Sequence, residues 1–414
     1  MNGSLASNSK KWAIYSLYGF FFSTTFSLFL EQIFLALALL FVIINVIAER
    51  KYERGFHLDF FNLFIFLFLG WSIISAIAGP TPRDSLWILK EEWLFFMIPV
   101  AGYLTRDEKI VRTSLKLFAI TAVAISLYAI WQHFSGMDLA HHTQLSPAPT
   151  TGYRVVGTFS HRLTFGNYYS IASLLLLGIA PYADKRFYKS LFYAGFFLTA
   201  LANVFTYNRG SLIAMAIGIV IFLIWHGRRH IKLTLALLVA LVAVIIITAP
   251  DITSRFLSTF ETEMEGKYAG SRLAIWRIGW KMALDHPIFG VGQGNFKYEY
   301  AKYGDKDTDR IYGHAHNDLI NVAAYAGFPG MIFYLGFWIA IVARMVKLLR
   351  SIKENNLIRG VVIGALLASV VFFMTSIYEA TFADEEIRLF LMAVWGLFLG
   401  TSWMVKRGGE PPNI

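Results

Sequence analysis

The chain has 414 residues, of which 56% are hydrophobic, 16% aromatic and only 15% charged, with a formal net charge of +10 and no cysteine. A soluble chain of this size carries about 25% charged residues, so the composition excludes a soluble globule, and the missing cysteine excludes disulfides, thiolate nucleophiles and Cys-ligated metals. The positive balance does not point to nucleic acid, because cytoplasmic loops of membrane proteins are themselves rich in Lys and Arg.

Apolar blocks long enough to cross a bilayer fall at about 12–30, 33–48, 59–78, 86–104, 113–134, 165–183, 190–206, 211–225, 233–249, 331–349, 358–378 and 387–404. They predict an all-α polytopic membrane protein with about twelve transmembrane helices. No A-x-A-like cleavage site follows the first block, which therefore reads as a retained helix. The short connections carrying Arg50, Lys51 and Arg54, then Arg106, Lys109 and Arg112, then Lys185, Arg186 and Lys189 are basic. So are those with Arg228, Arg229 and Lys232, with Arg344, Lys347, Arg350 and Lys353, and with Lys406 and Arg407. This asymmetry places these connections and both termini in the cytoplasm.

The chain then divides into helices over 1–249, a large outer loop over 250–330, and final helices with a short tail over 331–414. A smaller outer loop spans 135–164. Lys90, Glu91 and Glu92 fall inside the fourth block and read as a structural ion pair. His141, His142 and His161 of the smaller loop read as solvated.

Candidate chemistry gathers on the outer side. Arg209 sits in the tight turn Tyr207-Asn208-Arg209-Gly210, where snorkelling to lipid phosphates and a functional role are equally consistent with its position. The segment 271–284 predicts a helix capped by Ser271. Arg272, Trp276 and Trp280 are spaced i, i+4, i+8 on one face of it, as in an amphipathic interfacial helix. Arg272 near the helix start suits an anion, and Arg277 and Lys281 suit headgroups. Gly290, Gly292 and Gly294 have the wrong spacing for a dinucleotide fingerprint; they read as a turn after Pro287 with Phe296 as an anchor. His314-Ala315-His316-Asn317-Asp318 is the best acid–base candidate, followed by a short helix over 319–326 stopped at Gly327-Phe328-Pro329-Gly330. His-x-His supplies only two zinc ligands and no cysteine can complete them. Glu379, at the outer end of the eleventh block, is positioned to pair with an arginine.

Asn208-Arg209-Gly210-Ser211, the run Arg272, Trp276, Pro287, Gly290, Gly292 and Phe296, and the run His314, His316, Asn317, Ile320, Gly327 and Gly330 together resemble three motifs of the O-antigen ligase / O-antigen polymerase family of integral membrane glycosyltransferases. The resemblance covers roughly 150–400 and agrees best with the ligases. It implies a GT-C-like fold with interfacial helices in a periplasmic loop, in a bacterial inner membrane, with the active site at the periplasmic face. It implies a glycan donor on undecaprenyl diphosphate and, for a ligase, a lipid A–core acceptor in lipopolysaccharide synthesis; a polymerase uses a second lipid-linked unit instead.

Arg209 and Arg272 then take the place of a metal, with no cofactor, and His316 is the general base of an inverting transfer. His314, Asn317, Trp276, Arg277 and Glu379 surround the substrates, and membrane lipids are the remaining partners. The competing class is a twelve-helix transporter. It is disfavoured because no similar halves are evident and the suspected residues cluster at one surface.

Overall fold

A computed structural model describes residues 2–49, 59–149, 151–226, 271–303, 311–354 and 356–406, together with residues 232, 235, 236 and 239. Arg50, Lys51, Arg54, Arg228, Arg229, Arg407, most of the ninth predicted span and the loop portion 250–270 lie outside the described residues.

The first half contains α1 (Asn2–Ser23), α2 (Leu28–Glu49), α3 (Phe60–Ala78), α4 (Pro82–Ile88), a 3-10 helix (Leu89–Phe96), α5 (Met97–Leu104) and α6 (Glu108–Ser135). The smaller loop holds an antiparallel pair, β1 (Met137–Asp138) and β2 (Thr143–Gln144), with Met137 opposite Gln144. Then come α7 (Arg162–Ile179), α8 (Arg186–Val204), α9 (Arg209–His226), α10 (Arg272–Asp285) and α11 (Phe296–Tyr303). The chain closes with α12 (Asp318–Ser351), α13 (Leu357–Thr375) and α14 (Glu385–Lys406).

Among the described residues, seven helices are long and apolar enough to cross a membrane: α2, α3, α6, α7 extended to Tyr182, α12, α13 and α14. The chain is an all-α, multi-pass membrane protein. The apolar windows of α7 and α14 are 89% buried and that of α2 only 22%, so α7 and α14 form the centre of the bundle. Phe29, Ile224 and Ile339 are 74%, 78% and 67% exposed and turn their apolar surface outward, as lipid-facing positions do.

The count of twelve spans is not reached among these helices. α1 and α8 are long enough but less apolar, and α9 is shorter. The fourth predicted span, 86–104, is not one helix but α4, the 3-10 turn and α5. The break falls at Lys90-Glu91-Glu92. It brings the Glu92 carboxylate to the buried Arg388 guanidinium at 3.1 Å, which confirms the ion-pair reading for Glu92; a buried charge left alone would be costly.

Backbone and side-chain hydrogen bonds tie the helix ends at one side together. Val155 N donates to the Phe205 carbonyl (3.1 Å), Asp318 N to the Ser376 carbonyl (2.8 Å), and Thr164 Oγ1 to Asp384 Oδ2 (2.7 Å). At the other side Arg112 pairs with Asp184, joining the basic connections 106–112 and 184–189. The charged connections 106–112 and 184–189 therefore lie at the end of the bundle opposite the candidate site.

Candidate functional site

The site grows from two helix starts and the connection between α13 and α14. Ser271 caps α10, its hydroxyl accepting from Ala274 N at 3.3 Å. Ile275, Gly279, Met282 and Ala283 then bury one face of α10, and that face packs on α12. The predicted Arg272–Trp276–Trp280 face is not a uniform lipid-facing belt. Arg272 and Trp276 are half-buried, Trp276 Nε1 donates to the His316 carbonyl at 3.3 Å, and Trp280 meets Phe328 edge-on. Arg277 is exposed, and among the described residues no ion pair draws it into this group.

Asn317 caps α12. Its Oδ1 accepts from Ile320 N at 3.0 Å and its Nδ2 donates to the Ile377 carbonyl at 3.0 Å, so one side chain fixes both the helix start and the 376–379 connection. His316, just before it, has φ +49°, a left-handed backbone unusual for a non-glycine residue and frequent where function over-determines geometry. Predicted as the break after a short helix, Gly327 is indeed the point where α12 bends, with φ +69° and ψ −176°. Phe328 N then donates to the Pro287 carbonyl.

Glu379 joins these pieces. Its Oε2 lies 2.8 Å from His316 Nδ1, and its Oε1 pairs with the Arg272 guanidinium. Burial pushes the Glu379 carboxyl up, but the His316 hydrogen bond and the Arg272 charge outweigh it and hold it below the usual carboxylate range. An ionised carboxylate only accepts, so His316 Nδ1 carries the hydrogen, and in the neutral imidazole Nε2 keeps the lone pair. His314 is set differently: its Nδ1 accepts from His316 N at 3.2 Å. Burial, then the neighbouring His316, lower its pKa to about 4. His314 is therefore neutral near pH 7, with its proton on Nε2.

Arg209 arrives from another element. α8 ends at Val204 and the chain turns through Tyr207, whose φ is +54°, into α9. Asn208 anchors the turn, its Nδ2 donating to Asn167 Oδ1 (3.0 Å) and the Leu163 carbonyl (3.3 Å). A Cβ on Gly210 would lie 3.4 Å from Tyr378 Cβ, so the start of α9 rests beside the residue that precedes Glu379. Arg209 and Glu379 both act electrostatically on Arg162, which places all three in one neighbourhood. Among the candidates, the structure thus gathers Arg272, His314, His316, Asn317, Trp276 and Glu379, sets Arg209 beside them, and leaves Arg277 out.

Sequence reasoning missed Arg154 and Arg162. Arg162 Nη1 donates to the Thr206 carbonyl at 3.4 Å. Nothing in local spacing signals it, since Thr206 is 44 residues away. His161, exposed and capping α7, is within electrostatic reach of Arg162 and Glu379, and His141 pairs with the buried Asp138 at 2.7 Å, so both have partners that the solvated reading did not give them. The glycine turn is structural as read: φ is positive at Gly290, Gly292 and Gly294, Phe296 is buried, and Asn295 binds Ser85 Oγ.

Residues 194–335 match the sequence profile of a family described as O-antigen ligase. That stretch contains Arg209, Arg272, His314 and His316, so the three motifs and the profile agree; Glu379, Arg154 and Arg162 lie outside it. The chain is also 23% identical over 411 residues to the teichuronic acid biosynthesis protein TuaE of Bacillus subtilis (strain 168), covering 94% of this chain and 81% of that protein. These likenesses support a ligase- or polymerase-like glycosyltransferase of cell-surface polysaccharide synthesis.

Proposed function

We propose that the protein transfers a glycan from undecaprenyl diphosphate to a sugar hydroxyl of its acceptor, by a single inverting displacement without a metal. The site lies at the periplasmic face of the inner membrane. In the ligase form, which the family description favours, the acceptor is lipid A–core. The observation that carries the mechanism is the shared Glu379 carboxylate, with His316 Nδ1 on one oxygen and Arg272 on the other.

Held in this tautomer, His316 Nε2 takes the proton of the acceptor hydroxyl as that oxygen attacks the anomeric carbon and the bond to the diphosphate breaks. General-base help of this kind is worth about 10²–10⁴-fold. His314, neutral and donating from Nε2, orients a sugar oxygen rather than acting as base. Negative charge grows on the departing diphosphate, and preorganised cations stabilise it. Guanidinium forks fit phosphate oxygens bidentately. Arg209 approaches from the start of α9, where the helix dipole adds to its charge. Trp276 closes the His316 side.

A polymerase reading has one observation of its own, the likeness over most of its length to a protein named for teichuronic acid biosynthesis. A deletion strain separates the readings on a polysaccharide gel. Core lipid without polymer, with lipid-linked polymer accumulating, is the expected ligase outcome. Core carrying a single repeat unit means polymerase, and an unchanged gel with lost solute uptake returns the transporter.

A further inference from the structure

The exposed apolar stripe of α6 does not end where the helix does. Ile120, Ala124, Leu127, Trp131 and Phe134 are spaced i, i+4, i+7, i+11 and i+14 and are all exposed, so they form one apolar face of the helix. From Leu117 to Ser135 no Asp, Glu, Lys or Arg occurs. At about 1.5 Å per residue this is about 28 Å of helix, close to a hydrocarbon thickness of about 30 Å. Gly136 ends the helix in a left-handed turn, φ +74°, and a Cβ there would strike the Tyr153 ring. The β1–β2 hairpin therefore begins at the edge of the apolar layer, at the end of the bundle that carries the candidate site.

The buried side of the helix end is taken by the rest of the loop. Gln132 Nε2 donates to the Gly157 carbonyl and its Oε1 accepts from Gly157 N, both at 2.8 Å, and Tyr153 N donates to the His133 carbonyl at 2.9 Å. The hairpin is held instead at Tyr128, whose ring stacks on Trp131 of the stripe with centroids 5.8 Å apart. Leu139 N donates to the Tyr128 hydroxyl at 2.8 Å, and that hydroxyl donates to Asp138 Oδ1 at 3.0 Å. Alternation along the strand then turns Asp138 inward, 3% exposed, and Met137 and Leu139 outward, 57% and 58% exposed. Two apolar side chains thus prolong the stripe beyond Phe134. Gln144, opposite Met137 and exposed, gives this face a polar edge. Leu139 N, Ala140 N and Leu145 N all have partners within the loop or α6, and unpaired N–H groups are what apolar surroundings penalise.

We infer that the hairpin 137–144 is seated in the membrane interface, with Met137 and Leu139 among the lipid headgroups and the first acyl carbons on the side that bears the candidate site. The occupant of this face is phospholipid, because the face continues that of α6 and ends in the mixed apolar and polar character of the interface. Through Val155 N, bonded to the Phe205 carbonyl, the same loop reaches the turn that carries Arg209, so the hairpin fixes the depth at which that turn is held. The inference does not depend on the transfer reaction.

The chain has no cysteine, so a single introduced thiol can be labelled without background. Met137→Cys, Leu139→Cys, Phe134→Cys and Ser160→Cys are each labelled with a polarity-sensitive nitrobenzoxadiazole dye, in the full chain in nanodiscs. The discs are phosphatidylcholine, with or without a nitroxide on the first carbons of an acyl chain. Phe134 reports the apolar helix face, and Ser160, exposed just before the cap of α7, reports water. The labels at 137 and 139 are expected to emit to the blue of the label at 160, to be quenched by the nitroxide lipid as at 134, and to resist aqueous iodide. Labels at 137 and 139 that behave as at 160, quenched by iodide and not by the nitroxide, overturn the inference. So does protection from both quenchers with energy transfer between labelled copies, which makes the occupant a second copy of this chain. A label at 134 that ignores the nitroxide overturns it too, since the stripe then does not face lipid.

Discussion

His316 and Glu379 are 63 residues apart in the chain, yet Nδ1 of one lies 2.8 Å from Oε2 of the other. His316 and Arg272 hold the Glu379 carboxyl below the usual carboxylate range, so it accepts from Nδ1, and in the neutral imidazole Nε2 is the nitrogen free to accept a proton. Glu379→Gln removes that constraint, since an amide can also donate and so accommodate the wrong tautomer. We expect single-turnover transfer to fall about 10²–10⁴-fold with donor affinity changed far less. His316→Ala should lose at least as much. Turnover of His316→Ala close to wild type would remove this residue from the mechanism.

His314 makes a prediction about acid. Its folded pKa, about 4, lies below the ordinary 6.5, so between these values the unfolded chain binds a proton that the folded one refuses. The stability it leaves intact above about pH 6.5 therefore declines as pH falls towards 4, by up to about 3 kcal/mol. Glu379, with its depressed pKa, acts in the same direction at lower pH. The melting temperature of His314→Gln in detergent should fall less than that of wild type across this window; identical slopes would show that His314 is not the group responsible.

Gly327→Ala tests the bend in α12. The backbone there has φ +69° and ψ −176°, and a Cβ would collide with the Ile288 carbonyl. Strain alone costs about 1–3 kcal/mol, and displacing the 287–290 segment adds to it. A clear drop in thermal stability is expected, whereas a wild-type melt would mean that the bend relaxes freely.

The absence of a metal from the proposed chemistry is directly measurable. Transfer by purified protein should persist in saturating chelator, and loss restored by magnesium would sink the role given to Arg209 and Arg272.

Arg209→Lys probes the same clamp from another side. A lysine keeps the charge but not the bidentate fork, so transfer should drop by at least about tenfold, a loss of roughly 1.4 kcal/mol. Lysine supporting full activity would reduce Arg209 to a point charge.

Much of this was legible in order along the chain. Apolar blocks, basic connections, the Ser271 cap, the α12 break at Gly327 and the glycine turn are local properties, in which a residue's type and its neighbours decide the outcome. The fourth predicted span failed for a nonlocal reason: the charges at Lys90-Glu91-Glu92 read as an ion pair, but the partner of Glu92, Arg388 in another helix, is set only by packing. On α10, likewise, only packing shows that Trp276 meets the His316 carbonyl.

By itself, then, the sequence determined that this is a helical membrane protein with its unusual polar residues displayed at one end, since hydropathy and charge patterning act residue by residue. It also singled out Arg209, Arg272, His314 and His316. Only the tertiary structure decided how they are used. A histidine's tautomer depends on what faces each nitrogen, and an arginine's role on which anions and cations share its surroundings. The sequence offered Glu379 an arginine partner without saying which; packing sets it on Arg272 across 107 residues and sets Arg162 on Thr206 across 44.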